Sequence, residues 1–331
     1  MIDYLEIALK WLRSGYSVIP VSISKRPTIS NWMPFKNRPM TIDEAQIFFK
    51  DAQGIALVGG VNGITILDFD MKYSLRPDFM TEFRKRLKPS ILAKCLIQKT
   101  QSGGYHLIFR CSDIVENNKK LARRFTTEHE KHETYMEAYE NPCTRNNALK
   151  IAQNDKSRVL IETRGNGGYA LIYPTRGYER IGNTKIGELT KDEYFEIMDL
   201  CRSFDELTRV PAEDTRFDFV KDQWEVSPFE DYNQRGDVLS LLQQHGWTVV
   251  QSGNRKYYSL KRPGKSTAPT SAHLFKDSNV LQVFSTSTEF NTDTGYNPIQ
   301  IFCKLEAGDN ISEAYKLLLK QGYGVKKKIN K

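Results

Sequence analysis

Three clusters of side chains sit where they can do chemistry. The first is Asp68-Phe69-Asp70, at the end of the apolar run Ile64-Thr65-Ile66-Leu67. That run reads as a buried strand. On a strand, residues two apart share a face, so Asp68 and Asp70 point the same way. Two adjacent carboxylates repel each other, and a divalent cation between them relieves the repulsion; oxygen ligands favour Mg²⁺ or Mn²⁺. The plainer reading is a strand end with two solvated aspartates. The second cluster is Thr100-Gln-Ser102-Gly103-Gly104-Tyr105-His106, between the expected strands Cys95–Lys99 and Tyr105–Arg110. Glycines let backbone N–H groups approach a phosphate closely. His106, just past the turn, can meet a triphosphate; a satisfied core histidine is the alternative. The third is the strand Arg158–Glu162 followed by Thr163-Arg164-Gly-Asn-Gly-Gly168. Glu162 can complete a three-carboxylate site for two metal ions, a set that suits in-line phosphoryl transfer. Arg164 lies nearby, with a surface ion pair as its plainer role.

The elements that must carry these groups are legible in outline. A helical face over residues 3–14 begins at the cap Asp3, and Gly15 ends it. A strand is expected at Tyr16–Pro20, then a loop with Lys25, Pro27 and Trp32. Thr41-x-x-Glu44 is a capping box that opens a short helix to about Lys50. Gly54–Gly60 reads as a buried strand, Asn62-Gly63 as a hairpin turn, residues 77–88 as a basic helix and Tyr169–Tyr173 as a strand. A second capping box, Thr190-x-x-Glu193, starts a helix to about Leu207. Polar residues 112–157 read as an insertion, partly helical around Lys119–Tyr139. The domain expectation is 1–210 for the unit with the three clusters, 211–230 for a linker, 231–324 for a small second unit and 325–331 for a basic tail. In that second unit the pattern predicts helices at Asp237–His245, Pro298–Glu306 and Asn310–Gln321. It also predicts a hairpin of Trp247–Gln251 with Lys256–Leu260, and a strand at Val280–Ser285. The fold class is therefore α+β.

The chain has 331 residues and a formal net charge of +8, with a pI of about 9.0. That balance favours an anionic partner without specifying one. Five cysteines without CxxC spacing argue for reduced thiols and a cytoplasmic location. The first residues, MIDYLEIALKWLRSG, do not read as a signal peptide, and no apolar run has the length of a membrane span. No GxxxxGK[ST] loop occurs in these residues, so any helicase activity would have to come from elsewhere.

Taken together, Asp68-Phe-Asp70, Ser102-Gly-Gly-Tyr-His106-Leu and Ile161-Glu-Thr-Arg-Gly-Asn-Gly-Gly-Tyr169 resemble the three motifs of the archaeo-eukaryotic primase superfamily. The nearest branch is the primase-polymerase (prim-pol) domain of plasmid, phage and mobile-element replication proteins. The pattern Gly15…Val18-Ile-Pro20, Lys25-Arg-Pro27, Trp32 and Gly54…Gly59 agrees, so the resemblance covers about residues 1–210. It implies an N-terminal α/β subdomain beside an RRM-like catalytic sheet. It also implies Asp68, Asp70 and Glu162 as ligands of two Mg²⁺ or Mn²⁺ ions and His106 as a triphosphate contact. Ser102, Gly103 and Gly104 would line the phosphate pocket of an NTP or dNTP, with Arg164 nearby. The third acid is often Asp in this branch; here it is Glu162. The implied activity is template-directed primer synthesis or extension on single-stranded DNA, with a helicase as a possible partner and no membrane.

Residues 255–265 hold Arg255, Lys256, Lys261, Arg262 and Lys265 without an acid, interleaved with Tyr257 and Tyr258, a composition suited to single-stranded DNA. Part of the second unit, through Leu281-Gln-Val-Phe-Ser-Thr-Ser287 and Asn297-Pro-Ile-Gln-Ile-Phe302, resembles the zinc ribbon of bacterial primases with its ligand positions replaced. His129, His132, Cys111 and Cys143 are too loosely spaced to predict zinc. Lys119, Lys120, Arg123 and Arg124 are either phosphate contacts or an exposed charged face. Two other functions stay open: a non-catalytic single-stranded nucleic-acid-binding module of replication or defence, and a metal-dependent nuclease using the same acids.

Overall fold

A computed structural model describes residues 2–183, 185–207, 211, 213–250, 256–264, 270–285, 288–292 and 294–327. The chain divides into two compact units, Met1–Leu207 and Thr208–Lys331, and the architecture is mixed α+β.

The first unit holds two sheets. The smaller has three antiparallel strands, β1 (Val18–Val21), β2 (Gly54–Val58) and β8 (Tyr169–Leu171), in the order β1-β2-β8. Helices α1 (Tyr4–Arg13) and α2 (Ile42–Phe48) accompany it, and both begin as the caps predict. Asp3 accepts from the Glu6 N–H, and Thr41 and Glu44 form a reciprocal capping box. The larger sheet has six strands: β3 (Ile64–Phe69), β4 (Leu96–Lys99), β5 (Tyr105–Arg110), β6 (Lys120–Phe125), β7 (Ser157–Arg164) and β9 (Glu179–Arg180). Their order is β6-β7-β3-β5-β4-β9 and every pairing is antiparallel.

Strand alternation divides the work of this sheet. On β3, Leu67 and Phe69 face a core formed with helices α3 (Phe79–Arg86), α4 (Pro89–Leu92) and α7 (Lys191–Arg202). On the other face, Ile64 and Ile66 join a second core with the three-stranded sheet and α1. Strand β5 repeats the pattern, with Leu107 and Phe109 toward the helices and Ile108 toward the small sheet. The β3 run is apolar on both sides because both sides are covered. Asp68 and Asp70 continue the Ile64–Ile66 face just where the small sheet stops covering it.

Two expectations are corrected here. Asn62-Gly63 does not close a hairpin: β2 and β3 belong to different sheets, and residues Val61–Gly63 make a 3-10 turn between them. Asn62 and Gly63 do take positive φ, the property that suggested a hairpin; the signal specifies backbone curvature, not partner strands. Residues 112–157 are not wholly an insertion. β6 within them is the edge strand of the large sheet, and only then come α5 (Glu128–Glu140) and α6 (Ala148–Asn154). Basic side chains flanking Leu121 and Ala122 masked that strand, and edge strands commonly carry such charge. Arg124 is 3 % exposed and grips Glu130 with two hydrogen bonds, Arg123 pairs with Asp205 and Lys119 with Glu116. Arg123 and Arg124 are thereby occupied within the fold, while Lys119 stays exposed beside its ion pair.

The second unit is a five-stranded antiparallel meander, β11 (Thr248–Val250), β12 (Tyr257–Lys261), β13 (Ala272–Phe275), β14 (Leu281–Val283) and β15 (Gly295–Tyr296). Helices α8 (Pro228–Arg235), α9 (Val238–Gln244), α10 (Pro298–Ala307) and α11 (Ile311–Lys320) share its core with Leu260, Leu274, Leu281 and Val283. A short pair, β10 (Trp224–Val226) with β16 (Val325–Lys326), joins the two ends of the unit. The segment 211–230, expected as a linker, is thus part of this body: Trp224 is buried in its core and Ser227 caps α8. The zinc-ribbon resemblance is not confirmed.

Candidate active site

The register of the large sheet sets the site. Asp68 on β3 is paired directly with His106 on β5 and with Glu162 on β7. His106 is paired with Gln98 on β4, Gln98 with Arg180 on β9, and Glu162 with Lys120 on β6. Directly opposed residues share a sheet face. One continuous row therefore crosses all six strands, Arg180–Gln98–His106–Asp68–Glu162–Lys120, with acids in the middle and cations at both ends. Asp70, two residues beyond Asp68, follows on the same face.

Side-chain contacts tighten this row. His106 is 4 % exposed, and its Nε2 lies 3.5 Å from Asp68 Oδ1. The Gln98 amide sets the histidine tautomer. Its Oε1 accepts from the Tyr173 N–H at 3.1 Å and its Nε2 donates to the Leu171 carbonyl at 2.7 Å, so the amide orientation is determined by groups of known polarity. Its Nε2 therefore also donates to His106 Nδ1, at 2.8 Å, and the neutral ring carries its proton on Nε2, facing Asp68. Arg164, two residues past Glu162, donates to Glu162 Oε1 at 2.5 Å and lies 3.5 Å from Asp68 Oδ2. Lys72 Nζ is 3.7 Å from Asp70 Oδ2.

Electrostatics show a crowded set of acids. Burial raises the Asp70 carboxyl above its ordinary value, and Asp68 adds to the shift against the opposing pull of Lys72. Burial likewise raises Glu162, with Arg164 opposing and Asp68 and Asp70 reinforcing. For Asp68, burial pushes upward too, but the His106 hydrogen bond and charge and the Arg164 guanidinium outweigh it and hold this carboxylate below its ordinary value. Among the described residues no group of three His, Cys, Asp or Glu side chains is arranged to grip a metal ion. The Arg164 guanidinium stands between Glu162 and Asp68 instead. The donor chemistry nevertheless fits a hard divalent cation: three carboxylates on one sheet face, two of them carrying more negative charge than their surroundings favour.

These groups open onto a cleft of about 450 Å³. Asp68, Asp70, Ser102, His106 and Arg164 line it; Glu162 stands beside it, behind Arg164. Gly103 and Gly104 do not line it, and their roles are geometric. Gly103 takes φ +83°, and a Cβ on Gly104 would lie 2.2 Å from the Phe69 carbonyl oxygen. The turn presses against the end of β3, where Thr100 and Ser102 line the same cleft as Asp70, and only glycine permits that approach. The walls include residues that the motifs did not single out as site groups: Lys25, Lys72, Asn118, Tyr169 and Tyr178, with the second glycine turn represented by Gly167 and Gly168. Lys25 takes a positive φ of 64°, a strained state for a non-glycine residue. That strain had no sequence signal. The Lys25-Arg-Pro27 pattern was visible, but not its position against the acids. Of the basic set in the second unit, Lys261 ends β12, with Lys256 before the strand and Arg262 after it; Arg255 and Lys265 lie outside the described residues.

A half-buried row of acids flanked by histidine, on a sheet with a helical layer behind and an α/β subdomain in front, is the arrangement the motifs imply. The family model for the prim-pol domain, the N-terminal domain of bifunctional DNA primase/polymerases, matches residues 8–191. The chain belongs to this family. No curated protein matches the sequence. The matched span of the prim-pol domain contains the whole row from Gln98 to Glu162, the glycine turns, Lys25 and both sheets, and it ends at the first residue of α7. Among the described residues of the chain no helix is long and apolar enough to cross a membrane.

Proposed function

We propose that the prim-pol domain catalyses template-directed nucleotidyl transfer, making or extending primers on single-stranded DNA. The observation that carries this reading is the placement of Asp68 between His106 and Glu162 at the wall of the cleft. Asp68, Asp70 and Glu162 would hold Mg²⁺ or Mn²⁺. Bound there, divalent cations supply activation of an attacking 3′-hydroxyl and charge neutralisation at the transferred phosphorus. The remaining work belongs to the chain. His106 presents an Nε2–H to a triphosphate oxygen, in the tautomer Gln98 enforces. Ser102 and Lys25 offer further donors on the same cleft. Arg164 neutralises Glu162 and Asp68, and with cations held by the acids it would be free to meet the phosphates. In the second unit, the basic stretch 255–265 would add affinity for the template.

The test is incorporation of labelled NTP and dNTP on unprimed and primed single-stranded DNA, with each cation. Wild-type protein is expected to extend at least one substrate, and Asp68→Ala/Asp70→Ala to fall to background. Normal incorporation by the double variant would sink the assignment. Single-strand binding without any incorporation by the wild type would favour the non-catalytic module, and loss of labelled DNA without nucleotides the nuclease.

A further inference from the structure

The prim-pol domain has a second cavity, of about 620 Å³, that the nucleotidyl-transfer site does not use. We propose that it is a groove for the single-stranded DNA template, in which bases stack and phosphates meet separate cations. This rests on the functional reading above and extends it to the path of the template. The walls carry three aromatic rings, Trp11, Tyr16 and Tyr173, and three cations, Lys10, Arg180 and Lys185, with no acid among them. Trp11 and Tyr16 meet edge to face with centroids 5.4 Å apart, which braces Trp11 on α1. The Arg180 guanidinium lies 5.1 Å over the Tyr173 ring, and Tyr173 is 41 % exposed. Aromatic faces beside basic side chains bind single strands without sequence preference.

The distribution of the cations favours a strand over a small anion. Lys10 is on α1, Arg180 on β9 and Lys185 five residues beyond it, so the charges border the cavity from two parts of the chain. Lys10 pairs with Glu6 at 2.7 Å, but both partners are exposed, and such an i,i+4 pair yields readily to a phosphate. A chain of phosphates uses dispersed cations one at a time, where a single phosphate needs them convergent.

Position supplies the functional link. Arg180 is the end of the row that runs through Gln98 and His106 to Asp68. Tyr173 donates its N–H to the same Gln98 that orients His106. Tyr173 and Arg180 therefore stand at the β9 end of the row whose buried members, Gln98 and His106, lead to Asp68, and a strand in the groove is held beside that row.

Binding of a labelled oligothymidine to the full chain, read by fluorescence anisotropy without nucleotide or divalent cation, tests this. Arg180→Glu/Lys185→Glu is expected to weaken binding at least tenfold. It should also lower the salt dependence by about 1.4 in slope, at about 0.7 for each lost phosphate contact. Tyr173→Ala is expected to weaken binding about fivefold or more with the slope kept. All three side chains are exposed, so thermal midpoints should match wild type. Photocrosslinking with iododeoxyuridine oligonucleotides provides a readout independent of substitution, with adducts expected on Trp11, Tyr16 or Tyr173. Affinity within twofold of wild type in both variants, adducts confined to other residues, or equal competition by a mononucleotide would each overturn the groove. Because binding is read without catalysis, a failure to incorporate nucleotide leaves this result intact. Full incorporation with unaltered DNA affinity removes the groove alone.

Discussion

Removing the Gln98 amide would leave His106 Nδ1, the Leu171 carbonyl and the Tyr173 N–H without partners at a position 1 % exposed. Gln98→Leu is therefore expected to cost about 1–3 kcal/mol in urea denaturation. It should also release the tautomer of His106. The Nε2–H form should dominate in ¹⁵N spectra of the wild type and give way to a mixture in the variant, with nucleotide KM rising more than kcat falls. An unchanged tautomer would rule out the positioning role. Glu130 offers a pH test. The Arg124 hydrogen bonds, with burial opposing, hold its carboxyl down to about 2. Because the folded value lies below the unfolded one, its contribution is complete at neutral pH and is lost as pH falls from the ordinary carboxylate range toward about 2. Glu130→Gln is expected to destabilise by about 3 kcal/mol at pH 7, since it strands a buried guanidinium. The gap from wild type should shrink at pH 3, measured by urea midpoints at both values.

At the scale of elements, the site depends on how closely one turn approaches one strand. Gly104 abuts the Phe69 carbonyl, whereas a Cβ on Gly103 would meet open space and face only the penalty of φ +83°. Gly103→Ala should cost about 1 kcal/mol. Gly104→Ala should cost more, about 3 kcal/mol, because backbone must move to accept it. It should also displace Asp70, so incorporation falls with it while Gly103→Ala stays active. Equal effects of the two substitutions on thermal midpoint and rate would contradict this account of the turn. Strand β6 shows how an element escapes the pattern. Its Lys-Leu-Ala-Arg-Arg-Phe sequence has neither clean alternation nor β-branched residues, and it is held by pairing with β7 and by the ion pairs of Arg123 and Arg124.

At the scale of the molecule, each core is confined to one unit. The two cores of the prim-pol domain end at Phe204, and the third begins at Phe217. A fragment of residues 1–207 is therefore expected to unfold in a single cooperative transition and to retain metal-dependent incorporation. Calorimetry and the labelled-nucleotide assay on the fragment check both, and a fragment without a cooperative transition would show that the division is not energetic.

The sequence by itself determined the three motifs, most helix starts and the mixed α+β class, because these are local properties. Caps such as Thr41-x-x-Glu44 act within one turn, and the two-residue repeat of an extended strand puts Asp68 and Asp70 on one face. It could not state which strands flank β3. That Glu162, His106, Gln98 and Arg180 fall into register with Asp68 follows from pairings between segments far apart in the chain. Only the folded sheet places Gln98 behind His106, Arg164 between the acids, Lys25 on the wall of the cleft, and the aromatic cavity at the Arg180 end of the same row. The physical reason is range. Capping and alternation are settled by neighbours a few residues away, while a site on a sheet is assembled by register, which depends on every strand that pairs.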